Sequence, residues 1–220
     1  MPVTVGGSRR EVGRWREQED EATRDLPRLF VAVPLGEEAR DAVARLVSDV
    51  QASAEAAARA QRSPVRWVRM DGLHVTLRFL GPTPEDKVAE LSAIVDDAAA
   101  SGAPFGVSIR GSGAFPSARR PRTLWLGIDK GSVQLAALAR RLSDGLAKAG
   151  WPTDDRPFNA HLTLARADGR REGPAVADML SARASGFETE FLSDELVLYE
   201  SVTGGGPARY VSRHAALLGG

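Results

Sequence analysis

His74-Val75-Thr76-Leu77-Arg78-Phe79-Leu80 and His161-Leu162-Thr163-Leu164-Ala165 decide how this chain is read. Both are short runs of apolar and β-branched residues, and Gly81-Pro82 stops the first, so each predicts a strand. Side chains alternate across a strand. His74, Thr76 and Arg78 therefore share one face, with Val75, Leu77 and Phe79 on the other. In the same way His161, Thr163 and Ala165 stand opposite Leu162 and Leu164. Each motif presents an imidazole and a hydroxyl side by side from a strand whose back is apolar.

Working outward, similar elements surround each motif. Before the first, residues 29–33 predict a strand closed by Pro34. Residues 36–62 predict a helix, with Ala39, Val43, Leu46, Val47 and Val50 at helical spacing, and 65–68 a second strand. After it, Thr83 caps a helix whose first turn carries Glu85 and Asp86 and which runs to Ala100; 105–113 is a strand. Before the second motif come a strand at 123–128 and a helix from Ser132 through Leu135, Leu138, Leu142 and Leu146, ended by Gly150 and Pro152. A short helix (174–184) and strands at 187–191 and 195–199 follow. Gly204-Gly205-Gly206 turns the chain into a last strand around Tyr210-Val211. The pattern is an internally duplicated α+β unit. It occupies 28–220, behind a charged N-terminal segment (1–27) that reads as a flexible tail because it lacks the apolar residues to build a core.

Composition removes several function classes. With no cysteine, the chain has no disulfide framework, iron–sulfur cluster, thiolate zinc site or cysteine nucleophile. Twenty-nine basic residues balance 29 acidic ones, so no global field gathers nucleic acid, and any such partner needs a local basic patch. Of the basic residues only Lys87, Lys130 and Lys148 are lysine, a bias that fits genomic base composition. No apolar run has membrane-spanning length and the first 25 residues lack the apolar stretch of a signal peptide, so the default expectation is the cytoplasm. No short His/Asp/Glu cluster suggests a metal, and no cofactor is expected.

Two of only three histidines stand in the same four-residue setting, 87 residues apart. Brought together by pseudo-twofold symmetry, they would put two imidazoles and two hydroxyls around one cleft. Two imidazoles that titrate near neutrality can act as acid and base on opposite sides of one atom, and threonine hydroxyls can bind non-bridging oxygens. That arrangement suits in-line displacement at phosphorus without a metal.

The chain resembles the two-histidine phosphoesterase superfamily, and within it the RNA 2′,3′-cyclic phosphodiesterases, also called 2′–5′ RNA ligase-like proteins. The resemblance is carried by Arg28-Leu29-Phe30-Val31-Ala32-Val33, Val65-Arg66-Trp67-Val68, both histidine motifs with their flanks, and Arg122-Thr123-Leu124-Trp125-Leu126-Gly127. It implies an α+β fold of two pseudo-symmetric lobes, each an antiparallel sheet with helices on its outer face, around a central cleft. One lobe would be continuous and the other built from both chain ends. It implies opening of a 2′,3′-cyclic phosphate to a 2′-phosphate, with His161 as general base, His74 as general acid, and Thr76, Thr163 and Arg166 on the phosphate. The division between acid and base comes from the resemblance alone. Strict alternation puts Arg166 on the face away from His161, so the strand must end or bulge near Ala165.

Phe30 and Phe158 are candidates to stack a base, although the apolar strand around Phe30 equally suits the core. Trp67 and Trp125 read as core residues and His214 as a surface residue. Arg119, Arg120 and Arg122 are candidates for the local basic patch. The expected partners are RNA 3′ ends or small nucleotides carrying a 2′,3′-cyclic phosphate, handled by a monomer that engages no membrane. A cyclic phosphate on an ADP-ribose-type molecule, or a non-catalytic module that holds RNA ends, is the alternative. Weak reverse ligation follows from microscopic reversibility.

Overall fold

Nine strands form among the described residues, close to the expected places: β1 (Arg28–Pro34), β2 (Arg66–Trp67), β3 (His74–Pro82), β4 (Phe105–Phe115), β5 (Thr123–Ile128), β6 (His161–Arg166), β7 (Glu188–Ser193), β8 (Glu195–Val202) and β9 (Arg209–Leu217). Four helices accompany them: α1 (Glu37–Ala57), α2 (Val88–Ala100), α3 (Ser132–Lys148) and α4 (Gly173–Ala184). The computed structural model describes residues 23, 25–57, 65–153, 157–167, 173–204 and 206–220. The segment 1–27 therefore lies outside the described residues except for 23 and 25–27, as do the expected end of the first helix and Gly205.

The strands make one curled antiparallel sheet in the order β7-β4-β5-β6-β3-β1-β8-β9, with β2 paired to β6. The β6–β3 seam divides this order into two sets of four strands. One half, β4 to β7, is continuous in sequence; the other combines β1 and β3 with β8 and β9. The two expected sheets are thus joined, through a bridge between Val75 and Leu162. The helices cross this division. α1 follows β1 yet packs on β7 beside α4, while α3 follows β5 yet packs on β3 beside α2. Each half therefore lends a helix to the other, which ties the two together.

The apolar stripes explain this packing. Leu135, Leu138, Leu142 and Leu146 recur at helical spacing in α3 and all are buried. Each such leucine contributes roughly 1.5–3 kcal/mol on burial. α3 ends where Gly150 takes φ +80° and the Trp151 amide donates to the Leu146 carbonyl at 2.9 Å, a left-handed stop that suits glycine. Val75, Leu77, Leu162 and Leu164 join the same core from the sheet, so the opposite face of the seam is left to the polar halves of the two motifs.

One expectation is corrected. Thr83 does not cap a helix: its hydroxyl donates to the Gly81 carbonyl at 3.1 Å and the residue is fully buried. The chain passes through Pro84 and a short 3-10 turn at Glu85–Lys87 before α2 begins at Val88. Pro84 itself, at ψ 144°, stands at the cap of the 3-10 turn, so Thr83 lies one residue too early to reach the amides of the first turn.

Candidate active site

The Val75–Leu162 bridge fixes the relation of the two motifs. Continued along the antiparallel register, it sets His74 against Thr163 and Thr76 against His161, about a local two-fold axis. All four are partly exposed, whereas Val75 and Leu162 are fully buried behind them. A cavity of about 880 Å³ opens on this face, with His74, Thr76, Thr163 and Arg166 in its wall. His161 stands just beside that wall, on the strand face of Thr163.

Both motifs are bulged at the same place. In β3 the pairing to β1 skips Leu77, between Ala32↔Thr76 and Val31↔Arg78; in β6 the pairing to β5 skips Leu164, between Trp125↔Thr163 and Leu124↔Ala165. An inserted residue reverses the alternation beyond it. Arg166 is thereby returned to the cavity, as the expected bulge near Ala165 requires. The same device corrects the reading of the first motif. Arg78 leaves the His74 face, is only 8% exposed, and donates to the carbonyl of Pro152 beyond α3. Phe79 takes its place in the cavity wall with 60% of its surface exposed. Phe79 and Arg166 each lie five residues past a motif histidine, so the pseudo-symmetric halves offer an aromatic ring at one position and a guanidinium at the other.

The imidazoles are held alike. Nδ1 of His74 lies 2.7 Å from the Gly72 carbonyl, and Nδ1 of His161 lies 2.7 Å from the Asn159 carbonyl. A carbonyl oxygen only accepts, so both Nδ1 atoms carry the hydrogen and donate it, which leaves each Nε2 as the nitrogen available for proton transfer. Aromatic rings pack around both. Phe30 lies 4.8 Å from the His74 ring and Tyr210 meets it edge-on at 4.9 Å, while Phe115 meets His161 edge-on at 5.1 Å. Burial pushes both pKa values below the ordinary histidine range. The carbonyl bonds oppose the shift, and the positive charge of Arg166 adds to it. Gly72 has a second role: a Cβ there would come within 2.8 Å of the Tyr210 ring, so its missing side chain admits that ring against His74.

Arg166 is braced from the neighbouring strand by a 2.7 Å hydrogen bond from Nη1 to Thr123 Oγ1. Its field reaches both histidines and Tyr210. Two further arginines, Arg28 and Arg66, line the same cavity, and among the described residues neither has a carboxylate partner. Both stand in strand runs from which no role follows; each is the charged residue that opens its strand, and that is the signal available in the sequence. Thr123, Tyr210, Phe115 and Phe79 were missed as well, because cross-strand partnership is invisible in a linear pattern.

The remaining expected residues are placed as follows. Phe30 borders the cavity but is only 3% exposed, its ring held among His74, Phe79, Tyr199 and Tyr210. Phe158 is half-buried against the core and is not in the cavity wall. Arg119, Arg120 and Arg122 are exposed and also outside that wall. His214 pairs with Asp96 at 2.6 Å, joining β9 to α2. Among the described residues no group of three or more His, Asp or Glu side chains is placed to hold a metal ion, and no helix is long and apolar enough to cross a membrane.

Two imidazoles with free Nε2 atoms, two hydroxyls and a braced guanidinium on one face can bind an oxyanion and move protons to and from it. A family model described as the 2′-5′ RNA ligase superfamily matches residues 41–205. An RNA 2′,3′-cyclic phosphodiesterase of Archaeoglobus fulgidus is 34% identical over 72% of this chain and 81% of its own length. One from Geobacillus stearothermophilus is 34% identical over 78% of this chain, a match that spans only 51% of that longer protein. Among solved structures, Escherichia coli LigT complexed with NADP+ superposes with a TM-score of 0.68 at 25% identity, covering 89% of this chain and 100% of that one. LigT complexed with 3′-AMP gives 0.67 at 26%, covering 88% and 99%.

Proposed function

Because this chain belongs to the 2′-5′ RNA ligase superfamily, we propose that it is a cyclic phosphodiesterase that opens a ribose 2′,3′-cyclic phosphate at an RNA end to a 2′-phosphate. The observation that carries this reading is the pair of histidines, each anchored through Nδ1 to a carbonyl two residues back and each leaving Nε2 free beside a threonine.

His161 Nε2 takes a proton from water as the water oxygen attacks phosphorus. The bond from phosphorus to the 3′ oxygen breaks, and His74 Nε2–H supplies the proton that the departing oxygen needs. The 2′ bond stays intact, so the product is a 2′-phosphate with a free 3′-hydroxyl. Thr76 and Thr163 donate to the non-bridging oxygens, and Arg166 offsets the charge that builds on them in the transition state. Two oriented proton-transfer groups account for about 10²–10⁴ in rate each. Phe79, not the buried Phe30, is the ring available to stack a base. The protein's own side chains supply every proton transfer, and the working unit is a cytoplasmic monomer.

The test is product analysis. An oligoribonucleotide ending in a 2′,3′-cyclic phosphate is incubated with the protein in EDTA, and the terminus is identified. A 2′-phosphate is the expected product. A 3′-phosphate, or an unchanged cyclic end, would refute the reading.

A further inference from the structure

β2 is only two residues long, yet it places Arg66 directly opposite Arg166 in the β2–β6 register. Like charges set opposite each other across a ladder are unfavourable unless an anion or solvent offsets them. Both side chains line the cavity, and among the described residues Arg66 has no acidic partner. The two guanidinium groups do not serve the same point. Arg166 is bonded to Thr123 and its field reaches both histidines, whereas Arg66 contributes to neither histidine. By strand rise, with Leu164 inserted and not counted, the Arg66 position lies on the order of 7 Å along the seam from the level of Thr163. Arg28, at the start of β1, lines the cavity too, so its wall carries three guanidinium groups, more than one reacting phosphate engages. The cavity volume of about 880 Å³ is near the upper end of the roughly 300–1,000 Å³ usual for small-ligand sites.

We propose that Arg66 forms a second anion subsite beside the reacting phosphate, one that takes the adjoining phosphodiester of an oligonucleotide. The site thereby prefers RNA ends to cyclic mononucleotides. This assignment rests on the cyclic phosphodiesterase reading and names the substrate class within it. An arginine engages a phosphate through paired, charge-assisted hydrogen bonds, whereas lysine offers a point charge.

The test compares adenosine 2′,3′-cyclic phosphate with a diadenosine ribonucleotide ending in the same cyclic phosphate, both with a 5′-hydroxyl, so that the two differ by one phosphodiester and one nucleoside. For the unaltered protein kcat/KM is higher on the dinucleotide. In Arg66→Gln the dinucleotide-to-mononucleotide ratio of kcat/KM falls about tenfold, and Arg66→Lys restores part of it. A ratio that changes by less than twofold in Arg66→Gln would overturn the proposal, whether or not both rates fall together. If the unaltered protein turns over neither substrate, the functional reading fails separately. The subsite is then judged by the same ratio in Kd for adenosine 2′-phosphate and the 2′-phosphorylated dinucleotide, with the same threshold.

Discussion

Thr123 Oγ1 accepts a 2.7 Å hydrogen bond from Arg166 Nη1 across the β5–β6 ladder, where the two residues stand at matched register. The buried hydroxyl turns a long, flexible side chain into a directed one. A hydrogen bond to a charged group is worth about 1.5–3 kcal/mol, so Thr123→Val should lower kcat/KM on a cyclic phosphate about tenfold. Valine matches threonine in shape, so the fold should persist. In an Arg166→Gln background the same substitution should have almost no further effect, because the two residues act through one contact. A steady-state double-mutant cycle checks this.

Gly72 links backbone to chemistry twice: its carbonyl anchors His74, and its missing side chain admits Tyr210. Gly72→Ala should displace the ring or the carbonyl and with it the imidazole. Misplacement of a reacting group by about 1 Å can cost on the order of 10²-fold in rate. The expected result is a loss of that order in kcat with circular dichroism unchanged; kinetics on the folded variant decide it.

The two phenylalanines paired across β1 and β3 should separate binding from stability. Phe79 is exposed in the cavity, so Phe79→Ala should raise KM about tenfold, as stacking of about 1–3 kcal/mol implies, and leave Tm nearly unchanged. Phe30 is buried against His74, so Phe30→Ala should cost about 3–5 kcal/mol of stability. Thermal melts and Michaelis kinetics on both variants test the contrast.

Burial, opposed by the carbonyl bonds and aided by Arg166, holds both imidazoles below the ordinary value of about 6.5. The base must be neutral, so kcat/KM rises as pH climbs through its pKa. The acid must be protonated, so kcat/KM falls above its pKa. The maximum should therefore lie on the acid side of pH 6.5. Arg166→Gln removes a positive charge, raises both pKa values and should move both limbs of the profile to higher pH. Imidazole resonances followed by NMR titration would show the same direction.

The duplicated α+β plan was legible because it rests on local patterns: alternation in the strands, leucines at helical spacing in α3, and Gly150 as a stop. The motif strands were legible for the same reason. What alternation missed lies beyond Leu77 and Leu164, where inserted residues exchange the faces of all that follows. Arg166 showed the tension because its expected role conflicted with parity. Arg78 and Phe79 gave no such warning, and their places were reversed. The exchange of α1 and α3 between the halves, and the partnership of Thr123 with Arg166, depend on contacts between distant segments and leave no periodic trace.

The central claim is that two histidines act as one proton-transfer unit, and the most direct measurement is the single-turnover rate of His74→Ala, His161→Ala and the double variant on cyclic-phosphate-terminated RNA. Each single substitution should slow the reaction about 10²–10⁴-fold, and the double variant should be scarcely slower than the worse single one. Undiminished turnover in either single variant would contradict the account.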